Sequence, residues 1–394
     1  MSGRTPQNSW ADRSPPRLLR WAPWICVFVG LAGSAPLWWH GGGSWGHDWG
    51  FAQNAWQLRW QTLREYGQWP AHNPWEGGGL PVNPGLGYFS FTAPLTLLLG
   101  PLVGVRAMIA GFYVLGAYGW WRLGGKLLGE APAPRILLAA LGTLCPALAF
   151  HLAVGHVIFA NFMVWPLIFA CLLEARQHPW SGLKAGLLFA LGFNELPYYL
   201  MQYGSVMMAI GWLAQFLQSD RAQRRMLGRF VALSLAGAVP FVIPQVVAIV
   251  AVARDYARVA NTPVSFSAAQ LFAWYAWPET ELRDAVFVPA LNGWWGNWEM
   301  ACYLGWASLA LFAYGLLQAP RWFHLAAAVC FVFSIGNLHS WEPMRWLMAV
   351  PGFSSLQTFH RLRLFTYLFF ILGAVWGWDR VNRHLTDPVR SSRW

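Results

Sequence analysis

The fold of this chain is decided by residues 21–39, WAPWICVFVGLAGSAPLWW. The stretch carries no charge and is about 28 Å long as a helix, close to the thickness of the hydrocarbon core of a bilayer. Comparable apolar runs recur along the 394 residues, which are 56% hydrophobic and only 11% charged. Soluble proteins carry about 25% charged residues. Lipid offers backbone groups no hydrogen-bond partners, so the sequence predicts an all-α, polytopic transmembrane protein.

About ten spans are predicted, and the charge pattern orients them. An even number of spans places both termini on one side, and the segments on that side hold 18 of the 27 Lys and Arg residues. Basic residues favour the cytoplasm, so both termini are predicted to be cytoplasmic. The net charge of +11 then reflects orientation and contact with anionic lipid, and it gives no reason to expect nucleic acid. The predicted spans are residues 21–39, 104–121, 136–152, 157–173, 182–195, 198–217, 230–252, 300–318, 322–336 and 364–379.

The domain organisation follows from these spans. We expect the first apolar run to be retained, since no small-residue cleavage site follows it. A transmembrane domain over 21–380 then lies between cytoplasmic tails at 1–20 and 381–394. The large outer loops are 40–103, 253–299 and 337–363.

The first outer loop contains two candidate surface helices. Residues 48–66 form an amphipathic pattern that suits a helix lying flat at the membrane interface, with Arg59 on its polar side. Residues 88–100 are apolar but too short to span, so they are expected to lie along the surface or to re-enter. The apolar face of the first helix is predicted to comprise Phe51, Ala55, Leu58 and Leu63.

Several short motifs accompany this layout. His47-Asp48 follows the first span, NPW at 73–75 and GLPVNP at 79–84 follow the amphipathic helix, and Arg106 begins the second span. Further stretches are GFNELPYY at 192–199 and WEMACYLG at 298–305. Together they resemble the GT-C superfamily of membrane glycosyltransferases, and a bacterial subgroup in particular. The resemblance implies transfer of a sugar from a polyprenyl-phosphate donor to an acceptor on the periplasmic side of a bacterial inner membrane.

Two departures from the family pattern leave other functions open. Many relatives carry a second acid in the second outer loop, where this chain has His151 and His156. Many also carry an outer soluble domain after the last span. The alternatives are a non-catalytic GT-C-like scaffold subunit working with partner membrane subunits, and a lipid or solute transporter. Whether the chain is an enzyme is therefore open at this stage.

Two acids are the candidate catalytic residues. Asp48 sits where the first span ends and could act as a general base or bind a divalent cation such as Mg or Mn, but it could also simply cap the following helix. Glu195 lies between two apolar segments, where acids are costly and often functional. The alternative for Glu195 is an ordinary acid at the outer rim.

Arginines near the last span are the candidate donor phosphate site. Arg361 and Arg363 follow His360 on the side that otherwise avoids basic residues, and Arg345 is a weaker candidate. Arg suits phosphate because its guanidinium offers a planar fork of donors. The alternative is that these side chains reach towards lipid headgroups.

Aromatic and acidic residues of the outer loops suit a sugar-binding cleft, because aromatic rings match the C–H faces of a sugar. They equally suit an interfacial belt. No phosphate-binding loop, dinucleotide pattern or metal-spaced Cys pair occurs, so a divalent cation is the one cofactor considered. The residues predicted to line the cleft are His47, His156, Glu299, Trp295, Trp298 and His360.

Overall fold

A computed structural model describes the helical part of the chain and confirms that this part is all-α apart from one very short pairing. His72–Asn73 pairs antiparallel with Leu80–Pro81, which the sequence did not predict. The residues described are 17–39, 49–68, 72–73, 80–81, 90, 92–129, 131–153, 155–195, 198–255, 306–317, 319, 321–335 and 363–386.

Fourteen α-helices and one 3₁₀ helix occur within these residues. The first seven are α1 Arg17–Ser34, α2 Pro36–Trp39, α3 Trp49–Tyr66, α4 Thr92–Leu99, α5 Pro101–Leu128, α6 Pro132–Thr143 and α7 Pro146–Ala153. The 3₁₀ helix Val157–Val164 then leads into α8 Trp165–Glu174, α9 Ser181–Asn194, α10 Tyr198–Leu217 and α11 Arg221–Asp255. The last three are α12 Trp306–Leu316, α13 Arg321–Ile335 and α14 Arg363–Thr386.

Helix α5 is the centre of the bundle, and its sequence explains its limits. It begins at Pro101, where a missing backbone N–H costs nothing, and it lies between Gly100 and Gly129. Both glycines have positive φ angles, of 80° and 84°, a conformation that favours glycine. Between these ends α5 packs against α1, α4, α6 and α8.

Small residues allow neighbouring helices to approach closely. Gly182 and Gly186 of α9 face backbone atoms of α11, so that a Cβ at either position would meet a carbonyl oxygen. Gly377 of α14 faces the Leu311 carbonyl of α12 in the same way, and Gly373 faces the Phe312 ring of that helix. Each pair is spaced four residues apart, the spacing by which helices associate in membranes through small residues.

Four helical segments of the described part are long and apolar enough to cross a membrane: Pro101–Leu128, Val157–Glu174, Arg221–Val250 and Leu364–Asn382. Only 17% of the apolar 18-residue stretch in the third segment is buried. This segment exposes apolar side chains such as Leu235, Ile243 and Val247. Apolar side chains left outside a bundle are suited to contact with lipid. The fold is therefore that of an all-α membrane protein, and the number of ten spans stays a prediction.

The helices follow the predicted apolar segments with three differences. The segment predicted at 21–39 is broken at Ala35, between α1 and α2. The segment predicted at 198–217 coincides with α10, but the segment predicted at 136–152 is broken between α6 and α7. The break falls just before Pro146, because a proline disfavours helical geometry at the residue that precedes it. The segment predicted at 157–173 begins as a 3₁₀ helix and becomes α-helical at Trp165.

Helix α3 was predicted with the correct type, but one residue of its polar face was misplaced. Arg59 is only 2% exposed, and its guanidinium carbon lies 4.8 Å from the centre of the Trp56 ring, which is also buried. The arginine packs inward because an indole face attracts a cation. Leu58 is buried as predicted.

Candidate functional site

The two ends of α5 define two polar regions of the bundle. Arg106 and Arg122 both belong to α5 and lie about 24 Å apart along its axis. Arg106 is buried near α4, since Gly104 touches Thr96 of that helix. The region around Arg106, α4 and the α9–α10 turn is called the Glu195 end. The region around Arg122 and the end of α8 is called the basic end.

Glu195 follows the last residue of α9 and is 5% exposed. Both of its carboxylate oxygens accept hydrogen bonds from residues more than 100 positions earlier in the chain. The Ser90 hydroxyl donates to Oε1 and Oε2, each at 2.9 Å. Thr92 donates its backbone N–H to Oε1 at 2.8 Å and its hydroxyl to Oε2 at 2.6 Å. The sequence singled out Glu195, and the structure shows that it binds Ser90 and Thr92, which lie in the predicted first outer loop.

The start of α4 makes this arrangement favourable. The first N–H groups of a helix lack partners within the helix, and the helix dipole places partial positive charge there. The Glu195 carboxylate satisfies one of those N–H groups from outside the helix and brings a negative charge to its positive end. The Ser90 hydroxyl also accepts from the Thr92 N–H at 3.0 Å, as a helix-capping serine does.

Two asparagines fix the position of the turn that carries Glu195. Asn194 is 1% exposed, and its Nδ2 donates to the carbonyls of Ala190 at 2.9 Å and Phe241 at 3.2 Å. Asn161 donates from Nδ2 to the Gly192 carbonyl at 3.3 Å. These bonds join the end of α9 to α11 and to the 3₁₀ helix, so the Glu195 turn is held from several sides.

A pair of histidines lies at the end of α7. The Nδ1 atoms of His151 and His156 are 2.9 Å apart, so the N–H of one ring donates a hydrogen bond to the bare nitrogen of the other. His151 is fully buried and stacks on Phe159, with 3.7 Å between the ring centres. The Trp49 indole N–H donates to the Leu152 carbonyl at 2.9 Å, which attaches α3 to the same place. The sequence predicted His156 as a cleft-lining residue but did not predict its pairing with His151.

Most of the predicted site residues lie outside the part that the structure describes. Arg363 is the first residue of α14, and its side chain also lies outside the description. Within the described ranges, no group of three His, Cys, Asp or Glu side chains is placed to hold a metal ion. The predicted residues outside the described ranges are His47, Asp48, Trp295, Trp298, Glu299, Arg345, His360 and Arg361.

Sequence reasoning missed the partners of Glu195. Ser90 and Thr92 are 5% and 0% exposed, although hydroxyl residues in an outer loop usually face water. The available signal was local. Ser90 and Thr92 directly precede the Ala93-Pro94 start of an apolar run, a pattern typical of a helix N-terminus. That pattern predicts a cap but cannot identify an acid that approaches from another helix.

The basic end carries a different kind of polar contact. Glu174, the last residue of α8, accepts a hydrogen bond from Arg122 at 2.6 Å and lies 3.2 Å from the Lys126 ammonium. Arg135 of α6 stacks on Trp121, with its guanidinium carbon 4.1 Å from the ring centre. The four charged residues among them belong to segments that the charge pattern assigned to the cytoplasmic side.

The geometry therefore defines the class of the protein. It is an all-α membrane protein in which a buried carboxylate at one end of the bundle binds the start of α4. The chain matches no protein-family model, and no curated protein matches its sequence.

Proposed function

We propose that the chain is a GT-C-like membrane glycosyltransferase that moves a sugar from a polyprenyl-phosphate donor to an acceptor. The reaction takes place at the Glu195 end, which faces the periplasm of a bacterial inner membrane in this proposal. The supporting observation is the buried Glu195 carboxylate and its bonds to the first turn of α4. These bonds attach the predicted first outer loop, which contains Asp48, to the Glu195 end, where buried polar side chains lie.

The candidate residues take separate roles in this proposal. Asp48 directly precedes the buried Trp49 and serves as general base toward the acceptor hydroxyl, with a Mg or Mn ion as an alternative partner of its carboxylate. Glu195 acts as a positioning residue, because both of its oxygens already accept hydrogen bonds within the fold. The donor phosphate is held by Arg361, Arg363 and Arg345. The cleft is lined by His47, His156, Trp295, Trp298, Glu299 and His360.

The decisive experiment compares wild type with Asp48→Asn in proteoliposomes supplied with polyprenyl-phosphate-linked hexoses and a bacterial envelope extract as the source of acceptor hydroxyls. Release of polyprenyl phosphate is measured. Replacing the carboxylate by an amide removes the base while keeping its shape, so we expect turnover to fall about 100-fold or more. Glu65→Gln is the matched control, since Glu65 is an exposed acid of the same loop. Normal turnover in Asp48→Asn would reduce Asp48 to a helix cap.

A scaffold subunit is the second candidate function, and one observation favours it. The buried acid Glu195 serves contacts between helices, which a scaffold needs as much as an enzyme does. Wild-type protein that releases no polyprenyl phosphate from any donor, yet co-purifies with a second membrane subunit, would favour the scaffold.

A further inference from the structure

A cavity of about 390 Å³ lies towards the basic end of the bundle, away from Glu195. Its wall is apolar and is built by five helices, α5, α8, α10, α13 and α14. Known ligand sites have volumes of about 300–1,000 Å³ and combine an apolar wall with a few polar groups. The cavity meets both conditions. The wall includes Leu123, Phe169, Met207, Ala326 and Leu368.

The polar side chains of the cavity gather at one place, its mouth. They are Arg176, Gln177, Gln215 and Gln218. The first two follow the last residue of α8, and the other two lie at or just beyond the last turn of α10. Gln177 and Gln218 are exposed, so the mouth faces outward while the apolar wall extends into the bundle. This division suits an amphiphile, with its head at the mouth and its chain inside.

Hydrogen bonds hold the mouth in shape. Arg176 donates from Nη2 to the Gln215 carbonyl at 3.0 Å, and the same carbonyl accepts from the Ser219 hydroxyl at 2.6 Å. The Gln215 side chain donates from Nε2 to the Leu172 carbonyl at 3.1 Å. The ends of α8 and α10 are therefore joined around the opening, and the guanidinium of Arg176 is fixed beside it.

The charge around the mouth is positive. Arg176 adds to Arg122 and Lys126, and both of the latter share the single acid Glu174. With Asp220 and Arg224 near the end of α10 also counted, the cations still exceed the acids, and this excess favours an anion. Arg binds phosphate well because its planar fork offers parallel donors. Phosphate is also the anion that membrane lipids present at the surface of a leaflet.

We propose that this cavity binds a phosphate-bearing amphiphile, with its hydrocarbon chain between α8 and α10 and its phosphate at Arg176. The chemistry is shared by acyl lipids and polyprenyl phosphates. The site is separate from the Glu195 end, and it depends on the cavity and the charges around it. No step of glycosyl transfer is assigned to it, so its failure in a test would leave the proposed function as it stands.

The first test uses purified protein in a neutral detergent and a photoactivatable alkyl phosphate with a diazirine on its chain. We expect labelled peptides from α8 and α10, displaced by hexadecyl phosphate at about tenfold lower concentration than by hexadecanol, as loss of one charged hydrogen bond implies. Inorganic phosphate should not displace the label. Stronger displacement by polyprenyl phosphate would identify the isoprenoid as the better chain, and stronger displacement by hexadecyl phosphate the acyl lipid. Equal displacement by hexadecanol, or displacement by inorganic phosphate, would overturn the proposal.

The second test uses matched variants. Ala214→Trp should fill the cavity and abolish labelling, whereas Ala232→Trp on the exposed side of α11 should not change it. Arg176→Gln should weaken displacement by hexadecyl phosphate about tenfold, and Arg225→Gln, an exposed charge at the same end, should not. Full labelling of Ala214→Trp would refute the site. If Ala214→Trp is misfolded and does not elute as a single species in size-exclusion chromatography, the wild type still tests the proposal. Hexadecyl phosphate must displace the label from wild-type protein at lower concentration than hexadecanol does.

Discussion

The Glu195 end and the basic end of the bundle hold their acids in different ways. Glu195 is 5% exposed and accepts hydrogen bonds from buried groups of Ser90 and Thr92, at the start of α4. Glu174 pairs with Arg122 and Lys126, whose side chains are 41% and 39% exposed. A cation near water can turn to solvent when its partner is lost, but a buried donor cannot. The first end therefore depends on each bond, and the second tolerates change.

The largest effect is expected from Glu195→Ala. The buried hydroxyls of Ser90 and Thr92 would lose their acceptor, whereas the Thr92 N–H would keep the Ser90 oxygen, and each unsatisfied group costs about 1–3 kcal/mol. We expect the free energy of unfolding to fall by about 3 kcal/mol or more, measured in detergent with denaturant. Hydrogen exchange of α4 should rise strongly, while peptides around Glu174 keep their protection. Equal loss of protection at both ends would show that the hydrogen bonds of Glu195 have no local role.

A substitution between the two ends comes next. Gly186→Ala would drive a Cβ into the Ser234 carbonyl and to within 3.0 Å of the Ala238 nitrogen, and these backbone atoms cannot rotate away. We expect a loss of about 1–3 kcal/mol from overpacking, read as a lower unfolding temperature. Gly228→Ala is the control, because nothing lies within 4 Å of a Cβ there. That control should stabilise α11 by about 1 kcal/mol through helix propensity. The same sign in both variants would contradict the close approach of α9 and α11.

Thr92→Val removes one bond of the Glu195 cluster and keeps the others. The lost hydroxyl lies 2.6 Å from Glu195 Oε2, and hydrogen bonds to charged groups are worth about 1.5–3 kcal/mol. We expect a loss of about 1.5 kcal/mol, at the lower end because the backbone N–H of residue 92 still donates. A double-mutant cycle with Glu195→Gln measures the coupling. Additive effects in that cycle would mean that the two side chains do not interact.

The smallest effect is expected at the basic end. Glu174→Gln removes a carboxylate whose cationic partners are half-exposed, and such pairs contribute about 0–1 kcal/mol. The unfolding temperature should change little, and the small difference should shrink at high salt because exposed charges are screened. A loss as large as that of Glu195→Ala would abolish the distinction between the two ends.

The sequence was a good guide to helices and a poor one to contacts between them. Apolar length located α10 at its observed bounds, because lipid requires continuous helical backbone. An amphipathic pattern located α3 to within one residue. The cost of an acid near hydrocarbon also pointed to Glu195. Its partners Ser90 and Thr92 could not be found, since no local pattern relates residues more than 100 positions apart. Arg59 was misplaced for a similar reason, because its burial depends on packing around Trp56 rather than on helical periodicity.

The shortness of α9 has a consequence for the surrounding lipid. Its 14 residues rise about 21 Å, whereas the hydrocarbon core of a bilayer is about 30 Å thick. If α9 crosses the membrane, as the sequence predicts for 182–195, a bilayer of ordinary thickness must either submerge the turn that carries Glu195 or thin to meet it, and such mismatch costs a fraction of a kcal/mol per Å. Headgroups near that turn would then sit closer to the bilayer midplane than elsewhere. The length of the surrounding lipid chains thereby tunes the depth at which this end of the protein meets water.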